Sequence, residues 1–258
     1  MGTHRFFIKH IKSNSREIKF PGDIAHQIQH VLRLRPSNCV MVMDGEGKAY
    51  QVELTRVDSG GTTGKIIEIG EVKSGLNIHL HLYFPLSKRE KAEWILQKGT
   101  EVGVYAFHSF ISQRSLVQSS EMSDKRKTRW ESIIREAAEQ SGRSRLPTLH
   151  KPESLSSAIK NANTSLNKVI AAWVGEDNRI LKDVLTDTRH LVKRLKSVPS
   201  LGLFIGPEGG FSETEIKAFK QTGAETVSLG ARVFRMETAA VVFPALVMYE
   251  LSDLQRSE

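Results

Sequence analysis

Two glycine-bearing stretches in the last quarter of this 258-residue chain hold the residue types best suited to chemistry. The first, Gly206-Pro207-Glu208-Gly209-Gly210, follows the apolar run Leu201–Ile205. Its glycines let backbone N–H groups approach a ligand closely, and it feeds the N-terminus of a helix, a place that favours negative groups. Glu208 sets a carboxylate in the middle of the loop, which argues against a pure phosphate cradle and for a ligand with donors or positive charge. No Gly-Lys-Ser/Thr ending follows, so the loop is not a P-loop; an ordinary tight turn is the plain alternative. The second stretch, Gly230-Ala231-Arg232-Val233-Phe234-Arg235-Met236-Glu237-Thr238, lies between the apolar run Thr226–Leu229 and an apolar helix. Two arginines and a glutamate at such a junction are costly unless paired or functional. A helix cap with a salt bridge is the plain alternative there.

The elements needed to position these loops are visible as patterns. Both loops follow a short apolar run that reads as a buried strand. Between them, Ser212 with Glu215 three residues on forms a capping box, and Gly223 stands where a helix C-terminal cap belongs. A strand, loop, helix, strand, loop unit results, and in open α/β sheets ligands bind at loops leaving the carboxyl ends of strands. Upstream the alternation continues. Asn77–Pro85, Ala106–Ile111 and Lys168–Val174 read as strands. Ser87 and Glu90 suggest a second capping box opening a helix with Ala92, Ile95, Leu96, Gly99 and Val102 on one face. Asp124–Ser141 is a helix closed by Gly142 and Pro147, with Trp130, Ile133, Ile134, Ala137 and Ala138 at helical spacing. Leu155–Ala162 and Ile180–Leu195 are further helices. Thr238–Leu251 is apolar all round, which requires burial in a core or against another subunit, and Pro244 predicts a kink in it. The alternation implies an α/β domain with a mostly parallel sheet and helices on both faces.

The first part of the chain reads differently. Arg5–His10, Arg16–Phe20, Cys39–Met43, Ala49–Val57 and Thr63–Val72 are short strands. Asp44-Gly45-Glu46-Gly47 makes a hairpin and Gly60-Gly61 another turn. Asp23–Leu34 is a short helix with Ile24, Ile28, Val31 and Leu32 on one face. Residues 1–72 therefore form a small β-barrel-like domain, Gly70–Gly75 is a linker, and residues 76–258 form the α/β domain. Arg33 and Arg35 directly follow the apolar helix face, where they can hold phosphate or simply complement the helix dipole. The formal net charge of +8 favours acidic partners such as nucleic acid, as does the basic character around Arg143. A well-solvated basic surface is the alternative. Cys39 is the only cysteine, which rules out an internal disulfide and a cysteine metal cluster and fits a reducing cytoplasm. No run reaches transmembrane length and the N-terminus lacks a signal core, so neither membrane insertion nor export is expected. His79 and His81 share a strand face, but no partner stands at a metal-ligand spacing, and no metal is expected.

Taken in order, six blocks of residues resemble the 16S ribosomal RNA uridine N3-methyltransferases, of the knotted SPOUT class. The blocks are Arg5-Phe6-Phe7; His30 to Arg35 with Asp44-Gly45; Gln97-Lys98 through Glu101, Gly103 and Val104; Glu136 to Arg143 with Pro147; Ile205 to Ser212; and Leu229-Gly230, Arg232-Val233, Arg235 and Glu237-Thr238-Ala239. Ala231, Phe234 and Met236 depart from the family's usual proline, leucine and threonine. Ser37-Asn38 replaces a Gly-Asp turn, and Pro244 is atypical.

The resemblance implies a PUA-like RNA-binding barrel followed by a SPOUT domain with a deep trefoil knot near the C-terminus. It implies S-adenosylmethionine bound in that knot, a homodimer with active sites near the subunit interface, and 16S ribosomal RNA or the small ribosomal subunit as partner. Under it, the cofactor residues are Val174, Gly175, Gly206, Glu208, Gly209, Leu229, Gly230 and Phe234. Arg232 and Arg235 orient the uracil or a phosphate and stabilise a developing anion. Arginine stays protonated, so the proton falls to Glu237 or Glu208, directly or through water. Arg5, Arg33, Arg35 and Arg143 contact RNA. Three alternatives stand beside this reading: a knotted methyltransferase for another ribosomal or transfer RNA position, a non-catalytic assembly factor, and an ordinary dinucleotide enzyme. The missing Gly-x-Gly-x-x-Gly weighs against the last.

Overall fold

A computed structural model describes residues 4–9, 11, 15–71, 78–118, 121–195 and 197–251. The expected strand ends at His10 and Val72, the linker beyond Glu71 and the strand start at Asn77 lie outside them. Contacts divide the chain into two compact units, Met1–Ser74 with Ala138–Leu146, and Gly75–Ala137 with Pro147–Glu258. The short segment Ala138–Leu146, which the sequence boundaries leave in the α/β domain, thus groups with the N-terminal residues.

In the first unit, β1 (Arg5–Phe7), β2 (Glu17–Lys19), β3 (Cys39–Met43), β4 (Lys48–Asp58) and β5 (Gly61–Glu71) form one sheet in the order β1-β3-β4-β5-β2. Only β1 and β3 are parallel. Among the described residues β1 and β2 do not pair to close a ring. The two ends of the path meet through side chains, with the Phe6 and Phe20 rings edge to face at 6.4 Å in a shared core. The β3–β4 hairpin turns as expected, because Asp44 Oδ1 accepts from the N–H groups of Glu46, Gly47 and Lys48. The expected helix over Asp23–Leu34 is shorter and mixed. Gly22–His26 (α1) is α-helical and Gln27–Val31 is a π turn. The wider turn keeps Ile24 and Ile28 inside but swings Val31 out to 65% exposure, breaking the one-face pattern. Ala138 and Leu146 pack with Phe7, Met43 and Ala49, and Arg145 donates to the Glu46 carbonyl, which ties this segment to the hairpin.

The second unit is an α/β layer structure. Its strands are β6 (His79–Pro85), β7 (Ala106–Ile111), β8 (Thr148–Leu149), β9 (Glu153–Ser154), β10 (Lys168–Ala172), β11 (Ser200–Ile205) and β12 (Glu225–Val227). They run β12-β10-β11-β6-β7-β8, with β9 also on β7, and every pairing is parallel. β11 therefore inserts between β10 and β6. The helices α2 (Arg89–Val102), α3 (Asp124–Ser141), α5 (Leu181–Arg194) and α7 (Met236–Leu251) contribute to one core cluster, and α4 (Leu155–Ser165) and α6 (Glu213–Gln221) to the other. The Ser212–Glu215 capping box forms in full. The second expected box does not, because the residue before α2 is Lys88 and Ser87 is buried at 2% exposure. The Ser87 carbonyl instead accepts from Arg126 Nη2. Helix α7 runs through Pro244 without interruption, burying Met236, Ala240, Phe243 and Val247 but leaving Leu246 and Tyr249 exposed.

His79 and His81 do share a face, and what they meet there is aromatic. His79 stacks on Tyr105 at 3.8 Å, His81 Nδ1 lies 3.1 Å from His108 Nε2, and His108 stacks on His150 at 4.0 Å. Among the described residues no three His, Cys, Asp or Glu side chains are placed to hold a metal ion. Burial, helped by neighbouring imidazoles, lowers His81 to about 4 and His108 to about 2. Both are neutral in the folded protein at pH 7.

Two outcomes follow from this packing. A β-carbon on Gly99 of α2 would stand 2.7 Å from the Phe107 ring. Gly99→Ala, despite alanine's higher helix propensity, should therefore destabilise the protein by about 1–3 kcal/mol in urea denaturation; a gain in stability would show that the ring is free to move. The histidines set an acid limit. The unfolded chain takes up their protons near pH 6.5 while the folded chain does not, so stability should fall as the pH drops from about 6.5 through 4. His108→Phe should flatten that fall, and an unchanged slope in the variant would rule the histidine pair out as its source.

Candidate active site

Three loops leave the carboxyl ends of the adjacent strands β12, β10 and β11 and enclose a cavity of about 960 Å³. It is built by Val174–Asp177 after β10, Gly206–Gly210 after β11 and Leu229–Phe234 after β12, with the first turn of α7 closing it. Parallel strands all deliver their loops to the same edge, which is why residues 174, 208 and 232 meet. The glycines have local reasons. Gly210 takes a φ of +69° to close a turn onto the Pro207 carbonyl, and Gly230 takes +117°. A β-carbon on Gly206 would stand 3.3 Å from Phe211. The Gly209 carbonyl accepts from Arg114 Nη1 at 2.8 Å, which pins the loop.

Val174, Gly206, Glu208, Gly209, Leu229, Gly230 and Phe234 all line this cavity, as do Arg232, Arg235 and Glu237. Gly175 stands between the lining residues Val174 and Glu176, and a β-carbon there would meet the Trp173 ring at 2.6 Å. Arg232 and Arg235 are exposed, and their side chains make no hydrogen bond or ion pair among the described residues. Arg5, Arg33, Arg35 and Arg143 lie in the other unit. Arg33 adopts a positive φ of 53° and, like Arg35, is exposed. The Arg5 guanidinium lies against Gly142, and neighbouring Arg143 is sunk, its pKa pushed down to about 10 by burial.

Three residues of the site carry no motif. Lys91, in the first turn of α2, reaches Glu208 Oε1 at 2.8 Å and Glu237 Oε2 at 3.4 Å. The hydrogen bond to Glu208 is the main cause that raises the Lys91 pKa. Burial pushes the Glu208 carboxyl up, but Lys91, a backbone N–H and the charge of Lys88 outweigh it and leave the group below the usual range. Glu237 Oε2 is buried and has no hydrogen-bond partner, so its contact with Lys91 is an ion pair without hydrogen-bond geometry. Arg114 is the second such residue. Glu176 is the third: a buried carboxylate that accepts from Thr226 Oγ and the Asn178 N–H, with Lys220 at 3.8 Å. Only a lysine in a helix's first turn marks Lys91 in the sequence, and its partner Glu208 is 117 residues away.

A parallel α/β sheet with a carboxylate-rich cavity over three strand ends is the setting of a small-molecule-dependent enzyme, and likeness to known proteins says of which class. Residues 74–248 match the family model described as RNA methyltransferase domain, and the chain belongs to that family. The ribosomal RNA small subunit methyltransferase E of Bacillus subtilis is 29% identical over 255 residues, covering 97% of this chain and 98% of that protein. A crystal structure of ribosomal RNA small subunit methyltransferase E from Neisseria gonorrhoeae bound to S-adenosyl methionine superposes with a TM-score of 0.83 at 26% identity, covering 98% of this chain and 100% of the other. A putative methyltransferase from Legionella pneumophila, in complex with the same cofactor, gives the same TM-score, identity and coverage.

Proposed function

We propose that this chain methylates N3 of a specific uridine in 16S ribosomal RNA, using S-adenosylmethionine. The observation that carries the reading is the three-loop cavity. Its volume of about 960 Å³ is sufficient for a nucleoside-sized ligand, and it joins apolar walls to several carboxylates. Glycines at 206, 209 and 230 bare the backbone where an adenine and ribose need hydrogen bonds. Val174, Leu229 and Phe234 supply apolar surface. Glu208, Glu176 and Asp177 suit a ligand with a sulfonium and an ammonium group, so the residues present fit this cofactor. When bound, it supplies an electrophilic methyl group.

The protein's own task is to align the base, remove the N3 proton and exclude water. Glu237, whose carboxylate side chain lines the cavity beside Lys91, is the acceptor for that proton. Arg232 and Arg235 line the same cavity as unattached cations and serve to draw in the target nucleotide's phosphate. The base must leave its stack to arrive there. The first unit, PUA-like in this reading, binds the RNA backbone through Arg5, Arg33, Arg35 and Arg143. The insertion of β11 between β10 and β6 supports a trefoil knot in the second unit. The exposed Leu246 and Tyr249 on the otherwise buried α7 support a homodimer. The cytoplasm, where ribosomal subunits are assembled, is the expected compartment.

Cells lacking the gene should lose N3-methyluridine at one small-subunit position, and purified protein should restore it on their subunits. Loss at a transfer RNA or another ribosomal position would redirect the substrate, and no loss together with no thermal stabilisation by S-adenosylmethionine would remove the enzyme reading. Arg33→Ala with Arg35→Ala should weaken RNA binding and lower the salt slope by about one for each phosphate no longer neutralised, with cofactor affinity unchanged. An unchanged slope would assign RNA binding to other residues.

A further inference from the structure

The contact between Lys91 and Glu237 sets a donor directly beside an acceptor at the cavity wall. An ammonium has three N–H donors. Glu208 Oε1, at 2.8 Å, takes one and holds the Lys91 side chain in place. Glu237 Oε2 is 3.4 Å away without a hydrogen bond, which leaves further donors of Lys91 free to meet a ligand. Glu237 Oε2 in turn is a buried carboxylate oxygen held by the Lys91 charge, and the rest of this carboxylate, on a side chain that lines the cavity, keeps capacity to accept from a ligand.

A donor next to an acceptor is the complement of an imide edge, in which an N–H sits beside a carbonyl. Uracil offers that edge at N3. Cytosine presents the reverse, an acceptor nitrogen beside an amino donor. We propose that Lys91 and Glu237 together read the imide edge of the target uridine, Lys91 donating to the carbonyl oxygen beside N3 and the Glu237 carboxylate accepting the N3 proton. The inference rests on the uridine-N3 reading above and adds to it the residue that recognises the base and stabilises its anion.

The chemistry balances. The N3 proton moves to Glu237 and the electron pair of the N–H bond stays on the ring, spread over N3 and the flanking carbonyl oxygens. One of those oxygens faces the Lys91 ammonium. Proton and methyl carbon use the same in-plane direction at N3, so the proton leaves first. N3 then bonds to the methyl carbon as that carbon's bond to the sulfonium sulfur breaks, and the electron pair of the broken bond remains on sulfur. Lys91 suits the role better than Arg232 or Arg235. Those two are exposed and unattached, whereas Lys91 is already fixed by Glu208 and needs no reorganisation as charge develops.

The test compares Lys91→Met and Lys91→Arg with wild type on small-subunit RNA carrying uridine or 5-fluorouridine, whose imide is more acidic. Lys91→Met should slow methyl transfer to uridine RNA about 100-fold at saturating S-adenosylmethionine. The 5-fluorouridine RNA should recover most of that loss, and Lys91→Arg should retain part of the rate. With S-adenosylhomocysteine bound, the fluorine NMR signal of the target base should titrate at lower pH on wild-type protein than on Lys91→Met. A loss of equal size on both RNAs, or a fluorine titration identical in the two proteins, overturns the role and leaves Lys91 as a structural ion-pair partner. Should Lys91→Met not fold, Lys91→Gln carries the same comparison. Wild-type protein that makes no N3-methyluridine on either RNA overturns the underlying reading. Normal wild-type activity with no loss in the variant overturns this inference alone.

Discussion

The insertion of β11 between β10 and β6 is the constraint on which the site depends. It makes β11 a central strand, paired in parallel on both sides, and its residues Leu201, Leu203 and Phe204 are fully buried. A strand in that position has little freedom to shift register, because a slip of one residue would exchange side chains between the two cores, Leu201 and Leu203 in one and Phe204 in the other. The loop that leaves it therefore begins at a fixed point. The strand beyond, β12, pairs with β10 on the outer side, so the loops of β12, β10 and β11 lie next to one another. Glycines then allow those loops to crowd one volume without side chains filling it. The cavity is a consequence of strand order first and of loop composition second.

Long-range charge pairing completes what the strand order begins. Lys91 belongs to α2, on the far side of β6 in the chain, yet it joins the β11 loop to the first turn of α7 through two carboxylates. α2 and α7 share the same core cluster, and the buried Ala92, Ile95, Leu96 and Gly99 on α2 set the rotation that turns Lys91 toward the cavity. On the loop after β10, Glu176 is fixed by Thr226 and the Asn178 N–H. The helix faces thus decide which charged groups reach the site, and the arginines that reach it without partners are those on the loop itself.

Local features of this chain were legible in its sequence and non-local ones were not. The bounds of Cys39–Met43, Ala106–Ile111 and Asp124–Ser141 agree between pattern and structure, as does the capping box at Ser212. Each is set by residues within a few positions of one another. The matching box at Ser87 failed because burial of that serine, a tertiary effect, took it out of the cap. The π turn at Gln27–Val31 has no residue signature, and it reversed the reading of Val31. The two ligand loops follow from glycines after apolar runs, which periodicity reveals, while the cofactor roles within them come with the family resemblance. Lys91, Arg114 and Glu176 have no such signal, since nothing near them in the chain marks them. The strand order and the attachment of Ala138–Leu146 to the first unit also depend on contacts that no window of sequence contains.

The charge balance of the cavity gives a physical reason for pairing one fixed lysine with two carboxylates. Glu208 and Glu237 with Lys91 form a triad with one negative charge in excess, on a wall where Arg114, Arg232, Arg235, Glu176 and Asp177 otherwise add charges of both signs. In methyl transfer the positive charge disappears from sulfur, and the proton released from the base would have to leave at once if no group nearby could hold it. With Glu237 as acceptor, the negative charge passes from the carboxylate to the base and is then cancelled as the positive charge leaves sulfur. The net charge of the cavity is then the same before and after the reaction. In a partly desolvated space, where an unbalanced charge is expensive, that invariance lowers the cost of both states. Without Lys91 the two carboxylates would face each other unscreened, and the site would begin with an excess of negative charge opposing the anion that the base must become.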